Sequence, residues 1–204
     1  MKIDPQIHHR RSIRLPGYDY TRAGAYYITM VAWQREELFG EVVDGEMILN
    51  KSGRVAQAEW GKLPRRFRQV ELGEFVVMPN HVHGIIVILD GRGTAEDIPD
   101  SIEEPTRRAP TEQFRKPIAG SIPTIVRSYK SAVSLRINLM RRNSGSPVWQ
   151  RNYYEHIIRN EEDYQSKSDY ILNNPRNWES DEDNKERSDG GINCTTDDRG
   201  HGGE

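Results

Sequence analysis

Cysteine is almost missing from this sequence of 204 residues: Cys194 stands alone. A lone thiol excludes an internal disulfide and any zinc site built on cysteine pairs, and it fits a reducing compartment. Long apolar runs are also missing, since no stretch approaches the roughly 20 residues that a bilayer-crossing helix needs. The opening MKIDPQIHHRRSIR is too polar for a secretory signal. Together these features predict a soluble, cytoplasmic protein with no membrane partner. Neither HExxH nor CxxC occurs, which removes two common metal signatures.

The formal net charge of -2 averages two unlike parts. Residues 179–204 hold nine acidic side chains against three basic ones, leaving 22 acidic against 26 basic in residues 1–178. The body is therefore basic and the C-terminal end acidic. Residues 179–204 offer one isoleucine as their only large apolar side chain, too little to offset the entropy of ordering, and are expected to be a disordered tail. Gly91–Pro123 is rich in proline, glycine and charge and reads as a long loop interrupting the domain. The expected organisation is a basic N-terminal arm over 1–24, one domain over 25–178 containing the 91–123 loop, and the tail.

Within the domain the pattern alternates. AYYITMVAW (Ala25–Trp33) is aromatic and β-branched and predicts a strand. Leu38–Glu41 and Glu46–Leu49 flank an Asp-Gly turn and predict a ribbon. Asn50 is a good N-cap for a helix carrying Val55, Ala58, Trp60 and Leu63, with Pro64 near its stop. Val70–Met78 and His81–Leu89 predict a strand pair. Pro123–Arg142 sets Ile125, Tyr129, Val133, Ile137 and Met140 on one helical stripe. Tyr153–Arg159 predicts a last strand and Glu161–Asn174 a last helix, acidic in its first turn and followed by Pro175. This order predicts an α+β fold: a ferredoxin-like antiparallel sheet with helices on one face and an added C-terminal helix. That layout hosts many functions, so function must be read from the site.

MPNHVHGIIVILD supplies one candidate. On a strand, residues two apart project to the same face, so His81 and His83 lie side by side. Two neutral imidazoles so placed can share a divalent metal; alternatively, one is a half-buried core histidine and the other lies on the surface. SDYILNNP supplies a second, because Tyr170 and Asn174 are four apart and share a helix face. An amide oxygen can ligate magnesium or manganese, and a phenol beside such an ion suits attack on a phosphodiester. The competing reading is a half-buried aromatic followed by a C-terminal cap before Pro175.

These residues carry a family resemblance. PNHVHGIIVI, the downstream VWQRNYYEHIIRNEEDYQSKSDYILNNPRNW and the opening RRSIRLPGYDYTRAGAYYITMVAWQREELFG together resemble the single-tyrosine transposases of the HUH superfamily. The nearest type is the REP-associated tyrosine transposases, and the resemblance runs from about Arg10 to Trp178. It implies that His81 and His83 bind the metal, that Tyr170 on the added helix is the catalytic nucleophile, and that Asn174 is the third ligand, a position that is glutamine in some relatives. It also implies magnesium or manganese as cofactor, single-stranded or hairpin DNA as partner, and cleavage and strand transfer through a 5′-phosphotyrosine. The assembly would be a monomer or a homodimer. A phenol ordinarily holds its proton to about pH 10, so a base would help, but the sequence singles out none beyond His156.

Cations fit a DNA partner. Lys62, Arg65, Arg66 and Arg68 cluster after the first helix, and Arg127, Lys130, Arg136, Arg141 and Arg142 decorate the second; Arg65, Arg66, Arg68, Arg127 and Lys130 are the expected DNA contacts. Stacking of single-stranded bases on Trp33 or Trp149 would suit such a partner; the competing and simpler reading places both in the buried core. Two other classes compete. A DNA- or RNA-binding module that has lost its chemistry would bind without metal and without Tyr170. A small-molecule metalloenzyme using the histidine pair would have no affinity for nucleic acid.

Overall fold

The computed structural model describes residues 18–90, 118–181 and 184. Most of the expected arm (1–24), loop (91–123) and tail (179–204) therefore lies outside the described residues.

Four strands form one antiparallel sheet: β1 (Gly24–Val31), β4 (Val70–Val77), β5 (His81–Ile88) and β6 (Tyr154–Ile158), in the order β4-β5-β1-β6. A separate ribbon of β2 (Gly40–Val43) and β3 (Glu46–Leu49) turns at Asp44 and Gly45, both at positive φ as a tight hairpin turn requires. The helices are α1 (Lys51–Trp60), the short α2 (Leu63–Arg66), α3 (Ile122–Arg141) and α4 (Glu161–Asn173). This is the expected α+β, ferredoxin-like antiparallel arrangement. Among the described residues no helix is long and apolar enough to cross a membrane.

Alternation along β1 builds two layers of core. Tyr26, Ile28 and Met30 face the larger cluster, with Trp60 from α1 and Ile125, Tyr129, Val133 and Ile137 from α3. Ala25 and Tyr27 face the opposite way, toward a smaller cluster with Ile85, Ile158 and Ile171 of α4. Thus α1 and α3 cover one face while the added helix α4 covers the other. Tyr20, in the last part of the expected arm, is buried in the larger cluster, so its apolar ring anchors the chain just before β1.

Two helical stripes differ from expectation. In α3 the first four predicted residues are buried, but Met140 is 46% exposed, close to where the helix ends at Arg142 in a left-handed conformation. In α1, Gly53, Ala56, Glu59 and Trp60 are buried and Ala58 is exposed. Glu59 is tolerated there because Lys62, Arg66 and Arg136 all pair with its carboxylate. Burial alone would raise the Glu59 carboxyl, but the Lys62 and Arg66 hydrogen bonds, with the charges of Lys62 and Arg136, hold it below the ordinary carboxylate range. Pro64 starts α2 rather than ending α1, consistent with its missing N–H at the first turn of a helix.

Candidate active site

The PN turn between β4 and β5 is tight, with the Met78 N–H donating to the His81 carbonyl at 2.8 Å. It starts β5 so that His81 and His83 share a face with Ile85 and Val87, on the α4 side of the sheet. Both histidines are buried, and their ring centroids lie 4.4 Å apart. The intervening Val82 goes to the larger core.

Each imidazole is held through Nδ1. His81 Nδ1 bonds Asn80 Oδ1 at 2.8 Å. His83 Nδ1 lies 2.7 Å from the Tyr27 hydroxyl and 2.9 Å from the Thr29 hydroxyl, both on β1. For His83 these bonds leave Nε2 without a hydrogen-bond partner, the division of labour usual in a metal-binding histidine. Burial, and then the neighbouring His81, hold His83 well below the ordinary histidine range, so its ring is neutral.

α4 brings in the rest. Asn160 caps its N-terminus by accepting from the Asp163 N–H. His156 of β6 then clasps the Asp163 carboxylate at 2.8 Å, fixing that end of the helix to the sheet edge. Burial would raise the Asp163 carboxyl, but hydrogen bonds from His156 and the Arg159 N–H outweigh it and hold the group low. Two turns on, the Tyr170 ring lies edge-on to His83, centroids 5.3 Å apart and planes at 71°. It also meets Tyr27 at 6.3 Å. Tyr170 is nonetheless 46% exposed, so a large substrate can reach it.

Asn174, the C-cap of α4, is buried. Its Nδ2 donates to Asp181, while its Oδ1 is buried without a hydrogen-bond partner. His83 Nε2 is in the same condition. A buried polar atom left unsatisfied normally has a reason, and here the atoms concerned are the kinds that ligate a cation. Among the described residues no three His, Cys, Asp or Glu side chains converge. Asn174 offers an amide oxygen, a donor outside those four types. Beyond it, Trp178 packs on His81 at 5.9 Å, which ties the end of α4 to the first histidine. The start of the expected tail is thus packed: Asp181 bonds Asn174, and Asn184 is buried and donates to the Trp178 carbonyl.

The expected DNA contacts lie elsewhere. Arg65, Arg68 and Arg127 are exposed. Arg66 is drawn into the pair with buried Glu59, and Lys130 donates to the carbonyls of Gln150 and Asn152. Burial pulls the Lys130 ammonium down to about 8. α3, which carries Arg127 and Lys130, packs on the face opposite the histidines. Of the two tryptophans, Trp33 is 39% exposed and Trp149 belongs to the core.

Sequence reasoning missed two partners of His83, Tyr27 and Thr29, and a cation over the first of them, Lys167. Tyr27 and Thr29 sit on a strand more than 50 positions away, where nothing local marks them. Lys167 has its ammonium 5.5 Å from the centre of the Tyr27 ring. Its spacing was a signal: Lys167, Tyr170 and Asn174 follow one another at helical intervals of three and four.

A ferredoxin-like sheet with a histidine pair beneath a tyrosine-bearing helix defines the architecture. The same fold occurs in a solved REP-associated tyrosine transposase bound to a REP hairpin, with a TM-score of 0.52 and 20% identity over 79% of this chain and 72% of that one. No protein-family model matches the sequence. An uncharacterized protein of Haemophilus influenzae is 42% identical over 182 residues, 89% of this chain and 96% of its own length; the chain belongs to the family of that protein.

Proposed function

We propose that the chain is a single-tyrosine HUH nuclease and strand transferase, of the REP-associated transposase type, acting on single-stranded or hairpin DNA. The observation that carries this reading is the placement of an exposed Tyr170 over His83, with His81 beside it and the bare Asn174 oxygen one helical turn further along. The transposase with the same fold is bound to a REP hairpin, which supports DNA as the partner.

In this reading His81, His83 and Asn174 hold a magnesium or manganese ion, which when bound neutralises charge developing on the scissile phosphate. Tyr170 Oη attacks phosphorus in line. The Oη–P bond forms, the bond from phosphorus to the 3′ oxygen breaks, and the proton lost by the phenol is balanced by one gained at the 3′ oxygen. The products are a 5′-phosphotyrosine and a free 3′-hydroxyl. Because the ester is kept, a second 3′-hydroxyl can attack the phosphotyrosine and join another strand without ATP. Tyr27 and Thr29 orient His83, and Arg65, Arg68 and Arg127 remain as exposed cations for the DNA backbone. The assembly in this reading is a monomer or a homodimer, and cytoplasmic DNA is the expected target.

The test is a denaturing gel of the protein incubated with end-labelled single-stranded hairpin DNA and manganese. A protease-sensitive covalent band that disappears in Tyr170→Phe and with EDTA is expected. DNA binding in a native gel without any covalent band would instead favour a binding module on the same fold.

A further inference from the structure

We propose that Tyr154 and Lys167 form a nucleotide-holding subsite beside Tyr170, with a base stacking on Tyr154 and a backbone phosphate meeting Lys167. This inference rests on the nuclease reading above and names how the strand is held.

The register places the two groups. Thr29 pairs with His83 on one side and with Tyr154 on the other, so Tyr154, Thr29 and His83 form one row across the sheet and point to the same face. Two inter-strand spacings, roughly 10 Å, separate the ends of that row. Tyr154 lies on the edge strand β6, meets buried Tyr27 edge-on at 6.3 Å and is 48% exposed. Tyr170 meets the same Tyr27 ring, also edge-on at 6.3 Å. The ammonium of Lys167 stands over that shared ring, one turn before Tyr170.

The chemistry selects the ligand. An exposed phenol ring offers a face on which a base can stack whatever its sequence, and an ammonium is a point charge for phosphate. A half-exposed ring and a cation sharing one neighbour, Tyr27, suit an unpaired nucleotide; bases inside a duplex are already stacked and leave Tyr154 nothing to hold. The exposed arginines on the α3 side lie on the other layer, whereas Lys167 stands over the Tyr27 ring that Tyr170 also meets.

Fluorescence anisotropy in EDTA, with a labelled mixed-sequence single-stranded 20-mer and its matching duplex, tests this on the full chain. Tyr154→Ala is expected to weaken single-strand binding about 5- to 100-fold, the range for loss of one base stack, while duplex binding is unchanged. Tyr154→Phe keeps the ring and restores single-strand affinity. Lys167→Ala lowers the slope of log affinity against log salt by about 0.7 on the single strand, the loss of one phosphate contact. Circular dichroism melts of each variant separate these effects from misfolding. Unchanged single-strand binding in Tyr154→Ala, an equal loss on duplex, or a Phe variant as weak as Ala would overturn the subsite. If the unaltered protein binds neither DNA, the nuclease reading itself fails, an outcome visible before any variant is made.

Discussion

The Tyr27 hydroxyl lies 2.7 Å from His83 Nδ1, and the two rings stack with centroids 5.5 Å apart. A residue of the central strand thus sets the orientation of a histidine on its neighbour. Burial drives the Tyr27 phenol well above its ordinary range, so it stays protonated and keeps its hydrogen-bonding capacity.

Tyr27→Phe removes that hydroxyl and keeps the ring. If His83 is a metal ligand, manganese affinity measured by titration calorimetry should fall about 10- to 100-fold, as for other outer-sphere partners of ligating histidines. His83→Ala should abolish binding, while an unaltered affinity in Tyr27→Phe would show that Thr29 alone suffices.

Glu59 has a side chain only 1% exposed and is paired with three cations. Glu59→Gln keeps the shape and deletes the charge. The cations are themselves 31–55% exposed and can rehydrate, so the cost should be on the order of 2 kcal/mol, below the value for a fully buried network. A thermal melt should show a drop of about 4–8 °C; no drop would mean that the cluster is neutral to stability.

Gly84 follows the second histidine because nothing larger fits. A Cβ there would lie 2.4 Å from Trp60 Cζ2 and 2.8 Å from Phe75 Cδ2, two rings stacked 4.5 Å apart. Gly84→Ala should cost about 1–3 kcal/mol through overpacking, read from denaturant midpoints. It should also disturb any manganese binding, since β5 would shift beneath His83.

Alkaline pH should reveal the buried phenols. Tyr26, Tyr27 and Tyr129 are all raised, chiefly by burial. Unfolded tyrosines ionise near pH 10, so a raised folded value means stability that is complete below about pH 10 and is lost as the pH climbs beyond it. Absorbance at the phenolate band should therefore rise in step with loss of circular dichroism for these three. Ionisation of all nine tyrosines while the fold persists would contradict the burial.

Much of this could be read along the chain because it depends on short periods. The alternation of β5 put His81 and His83 on one face, and the four-residue interval put Tyr170 and Asn174 on another element's common face. Tyr154 was legible by the same alternation, since it shares its parity with His156 on the predicted last strand. What could not be read was set by distant partners. Arg66 and Lys130 look like any surface cation until Glu59 turns inward and the Gln150 and Asn152 carbonyls come within reach. Likewise the hydroxyls on His83 come from a strand paired with it only after folding.

β5 serves two masters: His81 and His83 face α4, while Val82, Ile86 and Ile88 fill the core on the reverse side. A slip of one residue against β1 would exchange the two sets, sending imidazoles into a greasy layer and valine to the place beneath Tyr170. A mispaired chain would then be inert rather than an indiscriminate cutter. For a protein proposed to break DNA strands, correct pairing of a single β-strand thus works as a safety catch.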